Sequence, residues 1–188
     1  MKNIVIFGVP RAGKSTLSNM IADKFQYQLL HVDCIRGAFK DIFPELNIKS
    51  WTAIDNKKFQ EFLASLFYRN IEQPRNKYGY VLEGCETYVS DCNELFNDGN
   101  TIIYYLGMTN ISPEELARNI RKYDSEKDWT YRKTSEEVLE YAKKCIELSK
   151  KYQQECEKYS IKFVDTSRDR EKVLKKVLEE IENRLKEN

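Results

Sequence analysis

Residues 8–15 read Gly-Val-Pro-Arg-Ala-Gly-Lys-Ser, which has the residue types and spacing of a phosphate-binding loop. Two glycines allow backbone conformations that a side chain forbids, so successive amide hydrogens can surround a β-phosphate. The positive end of the helix that follows adds to this attraction. Lys14 would bring a compact positive charge to the β- and γ-phosphates, and the Ser15 hydroxyl would be a ligand of Mg²⁺. The loop therefore predicts binding of a nucleoside triphosphate with Mg²⁺.

The sequence on both sides of the loop fits this interpretation. An apolar run, residues 2–7, precedes Gly8, and apolar residues from Leu17 to Phe25 recur at helical spacing. The alternative is a glycine-rich turn that matches the pattern by chance. No GxGxxG pattern occurs at this turn, which argues against a nicotinamide dinucleotide. The predicted nucleotide-binding residues here are Gly8, Arg11, Ala12, Gly13, Lys14, Ser15 and Thr16.

Acidic residues follow other apolar runs, where ligands bind in open α/β sheets. Asp33 closes the run 27–32, so we expect its carboxylate to hold an acceptor hydroxyl and take its proton. Arg36, one helical turn later, is expected to bind a polar or anionic part of the acceptor. The alternative for Asp33 is a cap on the helix that begins near Cys34.

Glu83 follows the run 78–82 and precedes Gly84. We expect its carboxylate to hold Mg²⁺ through water, together with Ser15, although aspartate is more usual at such a position. Contact with the acceptor, or a pair with a basic side chain, is the alternative. His31, the single histidine, is interpreted as a packed or hydrogen-bonded strand residue and not as a catalytic base.

A polar, charged segment follows the fourth apolar run, residues 101–106, and we predict a mobile flap around residues 111–137. Such a flap can bring guanidinium groups to the moving phosphoryl group and exclude water. Arg118 and Arg121 are the preferred pair. A solvated helix face with acidic neighbours is the alternative.

A fifth run, residues 161–164, is followed by Asp165-Thr166-Ser167-Arg168. In this order of elements the segment lies near an adenine, and Arg168 is predicted to stack on the base. A surface arginine at the start of the last helix explains the residue equally well.

The five apolar runs alternate with helical patterns, which predicts an α/β fold whose parallel sheet is covered on both faces. At 188 residues we expect one domain, residues 1–188. Between the second and third runs, apolar residues 59–71 fall on one helix face. With Trp51, Phe43 and Tyr68 they either line an acceptor pocket or belong to the core.

The composition excludes several classes of protein. Hydrophobic residues make up 41% and charged residues 32%, with a formal net charge of +1, so we expect no nucleic-acid or membrane partner. No apolar run reaches the roughly 20 residues that span a bilayer, and the N-terminus lacks the pattern of a secretory signal, so we expect a cytoplasmic protein, monomeric or homodimeric. The five cysteines form no CxxC pair and are interpreted as reduced, mostly buried residues.

With these residues in place, the chain resembles the small-molecule and nucleotide kinases of the phosphate-binding-loop superfamily, which include shikimate, gluconate, adenylate and nucleoside kinases. The resemblance implies a three-layer α/β/α sandwich with strand order 2-3-1-4-5, ATP as donor, Mg²⁺, a flap that supplies arginines and an acidic residue, here Asp33, at the acceptor. The chain has Glu83-Gly84-Cys85 where shikimate kinases have three glycines, and lacks the arginine-rich flap with paired aspartates of adenylate kinases. The acceptor is therefore not identified.

The function expected from these features is transfer of the γ-phosphoryl group of Mg·ATP to a small acceptor, with a hydroxyl of a metabolite or nucleoside favoured. A nucleoside monophosphate kinase is an alternative. A GTPase switch would need an Asn-Lys-x-Asp stretch, which does not follow Gly107. An ATPase of the motor or AAA type, and an ATP-binding protein without transfer activity, remain as further alternatives.

Overall fold

The structure is a computed structural model that describes residues 2–48, 56–85 and 87–187. Strands and helices alternate along the chain, and a short 3-10 helix lies at Pro44–Leu46. The strands are β1 Asn3–Gly8, β2 Gln28–His31, β3 Tyr80–Glu83, β4 Thr101–Gly107 and β5 Lys162–Asp165. The helices described are α1 Lys14–Phe25, α2 Val32–Ile42, α3 Lys57–Ile71, α4 Val89–Phe96, α5 Pro113–Tyr123, α6 Ser135–Tyr159 and α7 Arg170–Lys186.

The five strands form one parallel sheet in the order β2-β3-β1-β4-β5, so the predicted fold class and strand order are confirmed. β1 is the central strand, and its Ile4 lies opposite Val81 of β3 and Ile102 of β4. Every residue of β1 is buried. A strand with both faces covered needs apolar residues at consecutive positions, which is the pattern of residues 4–7.

Helices cover the two faces of the sheet. In β4, the Tyr104 hydroxyl donates to Glu180 of α7, and the next residue, Tyr105, packs its ring against Tyr152 of α6. The side chains of adjacent strand residues point to opposite faces of a sheet, so α7 and α6 lie on opposite faces of this sheet. α1 packs against β1, β2 and β3 beside α7, whereas α3 and α4 lie with α6.

The end of β2 differs from the prediction. The apolar run 27–32 was expected to be a strand closed by Asp33, but β2 ends at His31, and Val32 and Asp33 are the first residues of α2. Val32 is fully buried, so an apolar run continues across a strand–helix junction. Hydrophobicity alone does not mark that junction.

Three of the five cysteines are buried, in agreement with their interpretation as small core residues, while Cys34 is exposed and Cys85 is partly so. Burial raises the pKa of Cys145 to about 11, so its thiol stays protonated near neutral pH. Within the described ranges, no helix has the length and apolar character needed to span a bilayer.

Candidate active site

The first residue of the phosphate-binding loop has a backbone conformation that favours glycine. Gly8 has φ +134°, and a Cβ atom there would lie 2.0 Å from the carbonyl oxygen of Leu106 in β4. The Val9 amide donates to that same oxygen at 3.0 Å. Gly13 has φ +93° and is followed directly by α1. The loop conformation thus depends on both glycines and on the neighbouring strand.

The N-terminus of α1 is open on the side of the loop. The N-cap residue of α1 is Gly13, which has no side chain to cap the helix, so the amide groups of the first turn are not used by a side-chain cap from that residue. Ala12 is fully buried, while Ser15 and Thr16 are exposed. An uncapped helix N-terminus next to a glycine-rich loop is suited to binding phosphate.

Lys14 and Ser15 lie against Val9 and Glu83. The buried Lys14 ammonium donates to the Val9 carbonyl oxygen at 2.9 Å. The Ser15 hydroxyl donates to Oε1 of Glu83 at 3.2 Å, and Nδ1 of His31 donates to Oε2 at 3.0 Å. Glu83 is buried, and both of its oxygens have a partner. The structure therefore brings the two predicted metal-binding residues into contact and confirms that His31 is hydrogen-bonded in place.

The Ser15–Glu83 pair fits a magnesium ion. One hydroxyl and one carboxylate are hard oxygen donors, and Mg²⁺ in nucleotide sites usually takes one or two protein ligands and otherwise binds water and phosphate. In the described part of the chain, no group of three or more His, Cys, Asp or Glu side chains is placed to hold a metal. The donor set suits a nucleotide-bound ion better than a metal held by protein ligands alone.

A cavity of about 460 Å³ opens beside the loop. Its polar wall comes from the loop and from Thr166, Ser167, Asp169 and Arg170, and its apolar wall comes from the segment after β4 and from α5. The residues lining it are Arg11, Gly13, Lys14, Ser15, Thr16, Met108, Ile111, Leu116, Asn119, Ile120, Tyr123, Thr166, Ser167, Asp169 and Arg170. A pocket with one phosphate-binding end and one apolar end matches the two ends of a nucleotide.

Asp165, the last residue of β5, joins two of the loops around this cavity. Its carboxylate accepts hydrogen bonds from the Thr109 hydroxyl, from the Asn110 side chain at 2.6 Å and from the Ser167 amide at 2.8 Å. Burial opposes ionisation of this carboxyl, but the hydrogen bonds outweigh it and lower the pKa of Asp165. Asp165 is thus a structural support of the cavity, which sequence reasoning placed only as a strand-ending acid.

The arginine that the segment after β5 contributes to the cavity wall differs from the one that the sequence favours. Arg168 is largely exposed and pairs with Glu115 of α5. It is not among the residues lining the cavity, where Arg170 is found instead. Arg170 donates to the Arg11 carbonyl oxygen at 3.2 Å and lies 5.9 Å from the Tyr123 ring centre. Stacking of Arg168 on adenine stays a prediction, and Arg170 was missed because its helical position gives no signal of its own.

The two preferred flap arginines have different surroundings. Arg121 donates to the carbonyl oxygens of Thr130 at 3.0 Å and of Lys133, so it holds together the segment 124–134 between α5 and α6. Arg118 is exposed, and among the described residues it has no hydrogen bond or ion pair. Neither lines the cavity, and their catalytic role stays a prediction.

Arg11 also reaches the segment 124–134. Its Nη2 donates to Asp124 Oδ1 at 2.7 Å and to the Thr130 hydroxyl at 2.7 Å, and lies 3.0 Å from Asp128 Oδ1. These contacts could not be predicted from the sequence, because the partners are more than one hundred residues apart.

On the predicted acceptor side, Asp33 lies in the first turn of α2 and is exposed. Its carboxylate pairs with Arg36 at 2.7 Å, so the two predicted acceptor-binding residues are neighbours. They are more exposed than Glu83, which lies one strand away in the sheet.

The predicted aromatic pocket is only partly assembled. Phe39, which the sequence reading did not name, contacts the rings of Phe43, Phe59 and Phe62 within 6 Å. Tyr68 is elsewhere: burial and the nearby Asp98 carboxylate raise its pKa to about 12.

Asp98 lies shortly before the start of β4, at the end of the sheet opposite the loop. Tyr68 lies beside Asp98, so it does not join this pocket. Trp51 lies outside the described residues.

Comparison with known proteins gives sequence relatives and similar folds. No protein-family model matches the chain. An adenylate kinase of Lactobacillus johnsonii is 36% identical over 88 residues, which is 45% of this chain and 40% of that protein. An adenylate kinase of Azobacteroides pseudotrichonymphae is 27% identical over 166 residues, 77% of this chain and 85% of that protein. The chain therefore spans less than half the length of the Lactobacillus relative.

Solved structures extend the likeness to nearly the whole chain. A shikimate kinase from Bacteroides thetaiotaomicron has a TM-score of 0.58 at 17% identity and covers 96% of this chain and 98% of its own. A gluconokinase from Sinorhizobium meliloti has a TM-score of 0.55 at 16% identity and covers 94% of this chain and 89% of its own. The chain thus has the fold of the phosphate-binding-loop small-molecule and nucleotide kinases, and the resemblance expected from its sequence is confirmed.

Proposed function

We propose that the protein transfers the γ-phosphoryl group of Mg·ATP to a hydroxyl group of a small molecule. The observation that supports this most is the contact between Ser15 and Glu83, because it places a hydroxyl and a buried carboxylate together beside Lys14. Nucleotide-dependent phosphoryl transfer needs such oxygen donors for its metal ion. Magnesium would neutralise charge on the β- and γ-phosphates and would be held by Ser15 and Glu83.

In the reaction, the acceptor oxygen bonds to the γ-phosphorus as the bond from that phosphorus to the β–γ bridging oxygen breaks. ADP leaves with the electrons of the broken bond, and the acceptor proton passes to the Asp33 carboxylate. Lys14 stabilises charge on the β- and γ-phosphates once its ammonium exchanges the Val9 carbonyl for phosphate. The apolar wall of the cavity, which includes Ile111 and Leu116, holds the adenine base of ATP.

A hydroxyl acceptor fits the charges near α2. Arg36, the predicted ligand for an anionic acceptor, already pairs with Asp33, and Glu83 and His31 are paired with each other. A phosphate acceptor would need a positively charged partner, and the positive charge of Arg36 is already paired with Asp33. A nucleoside monophosphate kinase is the second candidate, favoured by the sequence likeness to adenylate kinases.

The test is release of ADP from Mg·ATP across a panel of sugar acids, shikimate, nucleosides, aminoglycosides and nucleoside monophosphates. We expect one hydroxyl acceptor to stimulate release of ADP. We expect Lys14→Ala to lower the stimulated rate about 100-fold or more, because the phosphates lose the positive charge that stabilises them. Lys24→Ala, on the exposed end of α1, is the matched control. Stimulation by monophosphates alone would support the second candidate, and saturable ATP binding without any stimulation would contradict both.

A further inference from the structure

Arg11 is attached to the segment 124–134 through one end of its guanidinium group. Among the described residues, its side chain forms hydrogen bonds and ion pairs with Asp124, Asp128 and Thr130, and each of these involves Nη2. The contacts join the phosphate-binding loop to a segment 113 residues further along the chain. The side chain therefore has a defined position and does not extend freely into solvent.

The partners of Arg11 are built into the protein. The Asp124 carboxylate is only 3% exposed, and Thr130 is completely buried. Arg121 lies 3.5 Å from the second Asp124 oxygen, so this carboxylate is between two guanidinium groups. A buried carboxylate needs such pairing, and removal of one partner leaves an uncompensated charge. Asp124 thus fixes the direction of the Arg11 head group.

The remaining donors of Arg11 are available. A guanidinium group has five N–H donors in a rigid plane, and within the described ranges Nε and Nη1 of Arg11 have no hydrogen-bond partner. Arg11 lines the same cavity as Lys14 and Ser15. Nη1 carries two N–H groups, and each can donate to a phosphate oxygen.

We propose that Arg11 is a catalytic residue that contacts the γ-phosphoryl group through Nη1, and that Asp124 is its positioning residue. The proposal rests on the function proposed above. It assigns to a residue of the loop the task that the sequence suggested for the flap arginines. Arg121 uses its donors on the carbonyl oxygens of Thr130 and Lys133.

The test compares binding of Mg·ADP with binding of the Mg complex of β,γ-imido-ATP by calorimetry. A contact made only with the γ-phosphoryl group affects the second nucleotide alone. For Arg11→Lys and Asp124→Asn we expect affinity for β,γ-imido-ATP to fall about tenfold, a loss typical of one charged hydrogen-bonding contact, with ADP affinity within about twofold of wild type. Arg69→Lys, the same change on exposed α3, should alter neither.

An equal loss for both nucleotides would show that Arg11 and Asp124 only maintain the loop, and an unchanged β,γ-imido-ATP affinity would show that Arg11 does not reach the γ-phosphoryl group. Either result overturns the proposal. A wild-type protein that binds neither nucleotide would instead overturn the proposed function itself. Arg11→Gln is measured alongside, since it keeps an uncharged amide NH2 group and should give a larger loss than Arg11→Lys for β,γ-imido-ATP only.

Discussion

The proposed nucleotide side and the proposed acceptor side of the site differ in what determines their geometry. On the nucleotide side, Gly8 is held against the backbone of β4 and Lys14 is buried. On the acceptor side, Asp33 has 62% of its side chain exposed, and Phe43 and Ile42 at the end of α2 are also exposed. Backbone constraints therefore define the donor half, whereas side chains on one helix define the acceptor half. Such a division lets one loop serve many acceptors.

The largest difference between the halves should appear on adding one methyl group to each. Gly8→Ala places Cβ 2.0 Å from the Leu106 carbonyl oxygen, so we expect a loss of more than about 4 kcal/mol of unfolding free energy or no folded protein. Gly37→Ala, in α2, meets no atom within 4 Å and should stabilise by up to about 1 kcal/mol. Urea unfolding measures both. Similar losses for the two variants would contradict the comparison.

Glu83→Gln tests the link between the halves. The amide keeps the shape of the side chain but loses the charge that supports the metal ion, so we expect turnover to fall about 100-fold and the Mg²⁺ concentration needed for half-maximal rate to rise. Initial rates over a magnesium series provide the measurement. A full loss of rate that is independent of magnesium would argue that Glu83 acts on the acceptor.

Asp33→Asn should affect the acceptor half alone. Loss of the proton-accepting carboxylate is expected to lower turnover about tenfold to 100-fold while ATP affinity stays nearly unchanged, because Asp33 does not line the cavity. Steady-state rates and ATP titrations separate the two quantities. Equal losses in both would show that Asp33 has a structural or metal-binding role.

Asp165→Asn should give the smallest effect, and one that depends on pH. Hydrogen bonds lower the pKa of Asp165 in the folded protein, so the ionised carboxylate stabilises the fold above the ordinary value of about 3.9. This contribution is lost as pH falls through the lower folded pKa. At pH 7 we expect the variant to be less stable by about 1 kcal/mol, since Asp165 is partly exposed.

As pH falls through the lowered pKa of the folded protein, Asp165 becomes protonated and the difference should shrink towards zero. Urea unfolding at pH 7 and over an acid pH series is the measurement. A difference that stays constant with pH would assign the loss to packing and not to charge.

The sequence predicts the sheet well because its apolar runs come from strands covered on both faces, as in β1 and β4. It predicts the loop because Gly8 and Gly13 meet a backbone requirement. It placed Asp33 at a strand end, since the buried Val32 extends the apolar run into α2.

The contacts of the flap segment could not be predicted in the same way. Arg118, Arg121 and Arg132 look alike in a charged sequence, and only tertiary structure decides which guanidinium binds carbonyl oxygens. No local sequence pattern indicates the Arg11–Asp124 contact, because each residue is of a type that is common in its own segment.

The central position of β1 has a consequence for the order of events during protein synthesis. The loop depends on the Leu106 carbonyl oxygen, which accepts from the Val9 amide, and β1 has β4 as one of its two neighbours. About 100 residues separate these positions, and ribosomes add about 5–20 residues per second, so the nascent chain spends roughly 5–20 s with β1 lacking its β4 partner. During that interval residues 3–7 form an exposed, uncharged strand segment, which is the kind of segment that chaperones shield. The apolar run of β1, which lies at the centre of the finished sheet, is thus an aggregation hazard while the chain is being synthesised.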